Sequence, residues 1–453
     1  MLETTAARLL ARTARAQRDG RAPSLVAGVV RAGGLAWSTG RGDVPDPHTD
    51  VQYRLGSISK TVCAVAVLRL RDEGLLDLDD PLERHLPGTP FDDRTLGQLL
   101  SHMAGAGAET NGPWWERTPG TSLAGLSLTA ANRPHAAGRR FHYSNLGFGV
   151  LGELVAGLRG RPWADVVRDE VLLPLGMTRT TPRPVSPAAQ GFAVHPWADL
   201  VLPEPEHDAV SMAAAGQLWS TLTDLGRFAA FLLGDTGGVL TPATLEEMCA
   251  PAGGAIEGAE WSAYGLGVMV ASSHGHVLVG HGGSMPGFLA GLWVDQVEQV
   301  GAVSLSNATS GGDATLTGDL IQVVRETEPH VVDAWRPLSA CDDATLALVG
   351  PWYWGPAPYT LSLRADGFLH LDSLNDRGRA SRFTRRADGT WLGLDGYYTG
   401  EVLRPSADGR SFDLATFAFT RGPYDPIDAV PGGVDTGGWQ TRGVKPGPRP
   451  NPR

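Results

Sequence analysis

Apolar residues recur three and four apart in some windows of this chain and in short unbroken or alternating runs in others. Between Ile58 and Leu70 the apolar Val62, Ala66, Val67 and Leu70 fall at helical spacing, which predicts a helix opening just after a Gly56 turn. The same period predicts an amphipathic first helix in the opening residues. It also predicts helices over Leu96–Met103, from Asn145 to about Val155, over Leu222–Leu233, from Thr241 with proline next, and near Leu316–Thr327. Apolar runs predict strands at Ser24–Val30, Leu35–Ser38, Tyr264–Ser272, His276–Gly280, Leu289–Val294 and Ala302–Ser306. Consecutive strands with glycine at points of close approach make an antiparallel sheet flanked by helices, an α/β (α+β) arrangement with a helical subdomain. Near Pro337–Asp343 the helical period stops. From Leu348 to about Arg421 short alternating segments are punctuated by Asp366-Gly, Asp388-Gly and Asp408-Gly, a strong hairpin signal. Expected boundaries are therefore a first domain over 1–335, a small all-β barrel or sandwich over 345–430, and a Gly/Pro-rich tail over 431–453.

Composition narrows the function classes. The 453 residues carry a net charge of −11 with no Lys/Arg-rich run, which argues against a nucleic-acid or anionic-membrane partner. Cys63, Cys249 and Cys341 are scattered and give no disulfide framework. No window approaches a membrane span, and the first residues lack the apolar run of a secretory signal, so the expected location is the cytoplasm.

One detail changes the picture of the Ile58–Leu70 helix. Of the 38 basic residues only two, Lys60 and Lys445, are lysines. Arginine keeps its proton in a protein, whereas a buried lysine amine can be tuned toward neutrality. Lys60 stands three residues after Ser57, so the two share one helix face. The helix N-terminus adds free backbone N–H groups and positive dipole character, which suits an oxygen nucleophile passing through an anionic adduct. A Ser-x-x-Lys quartet is common by chance. Lysine scarcity makes this one a candidate for proton-transfer chemistry.

Two further groups line up with it: Tyr143-x-Asn145 at the mouth of a helix, and a strand-borne His281-Gly282-Gly283. In this order, at these separations, the set resembles the β-lactamase and penicillin-binding-protein superfamily, and most closely its class C β-lactamase and D-aminopeptidase branch. Leu99-Leu-Ser-His, Leu173-Pro-Leu-Gly-Met and Gly216 through Asp224 are supporting phrases, and the resemblance covers roughly residues 1–330. It implies a β-lactamase/transpeptidase-like domain working through a serine acyl-enzyme without a cofactor. Ser57 would be the nucleophile; Lys60 and Tyr143 would move its proton; Asn145 would orient Lys60 and the substrate amide. His281 stands where such enzymes carry the lysine of a Lys-Thr-Gly motif. The N–H groups of Ser57 and Ser284 would form the oxyanion hole, beside Gly282 and Gly283.

Histidine is only partly charged near neutral pH, which disfavours a β-lactam carboxylate and favours peptides, amides, esters or thioesters. Trp114 in a polar, aromatic loop is a candidate pocket residue. Trp352-Tyr-Trp-Gly followed by short strands resembles the lipocalin-like module found after such domains. The two-domain layout also resembles the penicillin-binding-protein-type thioesterases of bacterial nonribosomal-peptide pathways, which take a peptidyl thioester, carried by a carrier protein, onto the serine and release it by attack of the peptide's own amine; a stand-alone peptidyl thioesterase or cyclase of this kind is the favoured expectation. Arg442 would then reach the site from the tail. Set against this are a D-aminopeptidase, amidase or esterase of broad specificity, a catalytically silent binding module, and a metal site built on His274, His276 and His281, for which no third ligand at zinc spacing is evident.

Overall fold

A computed structural model describes residues 1–255, 261–309, 312–331, 334–375 and 378–423. The chain divides into two compact units, Met1–Val331 and Val332–Arg453.

The first unit is built on an eight-stranded sheet in the order Gly34–Gly42, Ser24–Arg31, Val300–Ser306, Phe288–Asp295, His276–Met285, Met269–Ser273, Ser262–Tyr264, Gly253–Ala255. All its described pairings are antiparallel. The central strand Val300–Ser306 is buried almost throughout, so its side chains serve two cores. On one face Ala302, Val29 and Leu25 pack with Leu9 of the first helix (Glu3–Asp19) and Leu320 of Leu316–Thr327. On the other face Val303 and Leu305 join the larger core with Val62, Val65 and Leu68 of the helix Ile58–Asp72.

That helix is apolar nearly all round, and twelve of its fifteen residues are buried. A helix without a polar face belongs in the middle of a domain. Against it lie Asn145–Arg159 and the short Ala213–Gly216. Close approach requires small residues: a Cβ on Gly152 would meet Ala214 Cβ at 2.6 Å. Asn145–Arg159 starts with Ser144 capping Gly147 N–H at 2.8 Å and stops at Gly160, whose φ of +64° closes a left-handed turn.

One sequence expectation is corrected by the strand pairing. Tyr264–Ser272 is not a single strand but two, Ser262–Tyr264 and Met269–Ser273, paired as Tyr264↔Met269. Gly267, at φ +81°, turns the chain between them, and a Cβ there would overlap Ala64 of the nucleophile helix.

The second unit is a closed eight-stranded antiparallel barrel, Gly350 through Thr420. Its last two strands, Ser411–Leu414 and Phe417–Thr420, hinge at Ala415 with φ +54°. Side chains fill the barrel: Trp352, Leu361, Leu371, Phe383, Leu403, Phe412 and Phe419 are each fully buried. Phe412 and Phe419 stack with centroids 4.7 Å apart, and Trp352 meets Phe412 edge-on at 4.7 Å. The Trp352 indole N–H donates to Leu348 O at 2.7 Å, so the largest core side chain leaves no polar atom unsatisfied. Among the described residues, no helix is long and apolar enough to cross a membrane.

Candidate active site

Ser57 sits at the N-terminal end of the helix Ile58–Asp72, where the chain leaves the short strand Tyr53–Arg54 through Gly56. Gly56 has φ +56°, and a Cβ there would lie 2.5 Å from Ser284 N. Opposite, a Cβ on Gly283 would overlap the Leu55 carbonyl oxygen. The nucleophile turn and the strand His276–Met285 therefore meet backbone to backbone. That contact requires both glycines, and it brings the Ser284 amide beside the turn that carries Ser57.

Lys60 is fully buried, and its Nζ lies 2.9 Å from Ser57 Oγ. Nζ also donates to Ala215 O at 2.7 Å, at the end of the helix Ala213–Gly216. Burial lowers the Lys60 pKa to about 7, with Glu109 and Glu116 pulling the other way. Tyr143 leans over the same amine, its ring centroid 5.0 Å from Nζ. Burial raises the Tyr143 pKa well above the usual phenol value, partly opposed by a hydrogen bond with the Ser57 side chain. So one group in the trio is poised to exchange a proton near neutrality and another holds its proton. Cys63, one turn beyond Lys60, is pushed up to about 12 by burial and stays a thiol.

His281 is 2% exposed. Its Nδ1 lies 2.5 Å from Gly282 O and its Nε2 3.0 Å from Tyr264 OH. A carbonyl only accepts, so Nδ1 carries a hydrogen; with the ring uncharged, Nε2 accepts from the phenol. Burial, with Lys60 close by, lowers its pKa to about 3. The expectation of a partly charged histidine is thus corrected to an uncharged one.

Asn145 does not orient Lys60 as expected. Its Nδ2 donates to Glu109 Oε1 at 2.6 Å, while Lys60 turns to Ser57 and Ala215. Trp114 is 56% exposed, with its indole N–H on Glu116 Oε2 at 2.8 Å. Arg442 lies outside the described residues. Of the three histidines weighed for a metal, His274 Nδ1 meets Ser273 Oγ at 3.0 Å and His276 Nδ1 meets Asp295 Oδ2 at 2.9 Å, while His281 meets Gly282 O and Tyr264 OH, so the three share no partner. Among the described residues no three His, Cys, Asp or Glu groups form a cluster that would hold a metal ion.

Sequence reasoning assigned no role to His102, Glu109 or Glu116. His102 is 2% exposed, accepts from Ser144 N–H at 3.1 Å, and packs its ring 4.3 Å from Tyr143 and 4.5 Å from Tyr264. It lies at the end of the Leu99-Leu-Ser-His phrase, at φ +58°, and that unusual backbone could not be read from periodicity. The loop bearing both glutamates has no period to read at all.

Ser57, Tyr143 and His281 through Ser284 line a cavity of about 500 Å³ that continues along Leu289 and Gly291 to Thr317. A serine hydroxyl, a buried amine, a protonated phenol and convergent backbone N–H groups at one cavity wall can form and resolve an acyl ester. Residues 10–326 match the family model described as Beta-lactamase. The chain belongs to the β-lactamase family. Residues 341–421 match a second model, described as a domain of unknown function (DUF7586).

The chain is similar to the D-alanyl-D-alanine-carboxypeptidase/endopeptidase AmpH of Escherichia coli strain K12, 29% identical over 151 residues, 30% of this chain and 38% of AmpH. It is also similar to penicillin-binding protein 4* of Bacillus subtilis strain 168, 25% identical over 53% of this chain and 57% of the relative. The chain thus spans less than two thirds of the length of these curated relatives. Among solved structures, a D-stereospecific amidohydrolase from Streptomyces sp. aligns with TM-score 0.59 and 26% identity, over 71% of this chain and 98% of that one.

Proposed function

We propose that this protein is a serine acyl-enzyme hydrolase or acyltransferase acting on amide or ester bonds of small peptide-like substrates. The observation that carries this reading is the buried Lys60 amine 2.9 Å from Ser57 Oγ. With a pKa of about 7, Lys60 is substantially neutral near physiological pH and serves as the base. Ser57 Oγ attacks the carbonyl carbon as its proton passes to Lys60 Nζ. The carbonyl oxygen becomes an oxyanion facing the N–H groups of Ser57 and Ser284. Collapse breaks the bond to the leaving nitrogen or oxygen. That atom takes the proton of the Tyr143 phenol, which is replenished from Lys60. Water or an amine then adds to the Ser57 ester and gives up its proton along the same route.

Tyr143 supports an amide or ester substrate over a thioester one. An amine cannot leave without a proton, and a phenol that keeps its proton supplies it; a thiolate needs none. The amidohydrolase likeness is in keeping with this. A second reading remains, a peptidyl thioesterase or cyclase fed by a carrier protein, because the cavity runs on from Ser57 along Leu289 to Thr317 and leaves room for a longer acyl chain.

The test is intact-protein mass spectrometry after 4-nitrophenyl acetate or a fluorophosphonate. One adduct on Ser57 is expected, and none on the Ser57→Ala protein. A D-residue amide should then be cleaved faster than the matching N-acetylcysteamine thioester is consumed. The reverse order would replace the first reading by the second. An unlabelled Ser57 would end both, leaving the silent binding module.

A further inference from the structure

The cavity that begins at Ser57 does not stay on the catalytic side of the sheet. His281 and Gly283 face Lys60 and the Ser57 turn, so Gly282 and Ser284 face the other way. Gly282 pairs with Gly291, Gly291 with Ser304, and Ser304 with Ala27, which belongs to the core under the first helix and Leu316–Thr327. Ser57 and Tyr143 nevertheless line the same cavity as Gly291 and Ser304.

The strand Met269–Ser273 is short enough to allow this. It pairs with His276–Met285 only as far as Gly280, opposite Met269. Among the described residues, His281–Met285 therefore has a bare edge on that side, and the cavity wraps round it from one face of the sheet to the other. Gly282 forms the saddle: a Cβ there would meet nothing within 4 Å.

Beyond the saddle the walls draw in. A Cβ on Gly312 would overlap Leu289 Cδ1, and a Cβ on Gly291 would stand 3.0 Å from both Ser304 Oγ and Thr317 Cγ2. The passage exists because Gly291 has no side chain. Further in, the buried Ala16, Ala22 and Ala308 leave space that larger residues would fill. This arm offers no free charge among its described residues: Asp313, its ionisable group, is paired with Arg12. The hydroxyl of Ser306 is turned to Ala308 O at 3.4 Å. A narrow space without unpaired charge, walled by leucine and alanine, favours an apolar group over water.

We infer that the arm beyond Gly282 holds an unbranched apolar chain on the acyl group carried by Ser57, bent round the bare strand edge. Donors with a straight alkyl chain in the acyl part are favoured, and branched or ring-bearing ones are stopped at the narrows of Leu289 and Gly291. This names the acyl donor of the acyl-enzyme reading and rests on it.

Two measurements tell the failure of one from the failure of the other. A burst of 4-nitrophenol from 4-nitrophenyl acetate tests the acyl-enzyme alone, since acetate has no chain to place; no burst would overturn that reading whatever the longer esters did. Straight-chain 4-nitrophenyl esters from acetate to decanoate, each below its aggregation concentration, are then compared with the pivalate and the benzoate. From acetate to octanoate kcat/KM is expected to rise by about tenfold or more, since each fully buried methylene allows about fourfold, with pivalate and benzoate slowest. Leu289 is partly exposed, so it can be changed in both directions. In Leu289→Trp, which narrows the arm, the octanoate-to-acetate ratio should shrink toward parity. In Leu289→Ala, which opens it, pivalate and benzoate should gain on octanoate. A burst accompanied by a flat or falling series, by branched and ring-bearing esters equal to straight ones, or by a chain-length preference unchanged in Leu289→Trp would overturn the chain-binding arm.

Discussion

The two units treat the inside of an antiparallel β structure in opposite ways. In the barrel, the interior is closed with aromatic and aliphatic side chains, and the buried Trp352 indole N–H is satisfied at Leu348 O. In the first unit, the strand His276–Met285 stands over a cavity, and beside it lie a buried amine, two phenols and two neutral histidines. One interior is filled for stability. The other keeps polar groups out of water at a cost, because a buried Lys60 gives up hydration that, among the described residues, no carboxylate contact restores. Cost without structural return is the physical mark of a working site.

Substitutions put that contrast to the test. The largest effect is expected at Lys60→Arg, which makes the charge permanent and so removes the proton acceptor: acylation of Ser57 should fall by about four orders of magnitude or more, roughly 5 kcal/mol in the barrier. Stopped-flow release of 4-nitrophenol measures it, and near-normal rates would mean that Lys60 is not the base.

In the barrel, Trp352→Ala removes a fully buried side chain from a filled interior, for a loss of about 3–5 kcal/mol. Calorimetry should show it as a lowered unfolding transition. An unchanged transition would show that the barrel is not packed as tightly as its aromatic contacts imply.

Lys60→Met should do the reverse in the first unit: activity is lost while stability rises. The sign follows from linkage. The folded pKa of about 7 lies below the ordinary lysine value of 10.5, so the unfolded chain binds more protons between those values and stability climbs as pH rises from 7 to 10.5. The penalty is full below pH 7. Methionine removes it, so the gain should reach a few kcal/mol at pH 6, at about 1.4 kcal/mol for each tenfold loss of proton affinity, and fade by about pH 10–11. Denaturant melts at about pH 6 and pH 10 check this; an equal or larger gain at the higher pH would place the effect in packing and not in the buried charge.

The smallest effect is a pH midpoint. If Lys60 must be neutral to act, kcat/KM rises with pH and levels off above about 7, and His281, already neutral down to about pH 3, adds no second limb near neutrality. A plateau reached only near the ordinary lysine value of 10.5 would contradict the tuned amine.

Much of the chemistry was legible because it sits on periodic elements. Ser57 and Lys60 share one face of a helix whose period four apolar positions reveal, Tyr143 stands just before a helix with a clear pattern, and His281 lies within a strand. The failures share a cause. Tyr264–Ser272 reads as one apolar run, yet the chain turns at Gly267, where a side chain would overlap Ala64 on a helix far earlier in the chain. The partner of Asn145 is a glutamate 36 positions away in a loop without a repeat, and His102 acts through a left-handed backbone that pattern cannot signal. The barrel was visible as strands and turns, but its closure depends on Tyr353 pairing with Thr420, a contact between its ends. Local chemistry shows in a sequence; contacts across it do not.

The glycine contact between the Ser57 turn and the Ser284 strand has a practical consequence for anyone wishing to redirect this protein. Because two backbones touch with no side chain between them, the electrophile-binding centre has nothing that mutation can trim or enlarge without moving it. Libraries that vary Gly56 or Gly283 should yield mostly dead protein. The span from Glu109 to Arg117, which leans on the centre only through side chains, is the part that can be rewritten.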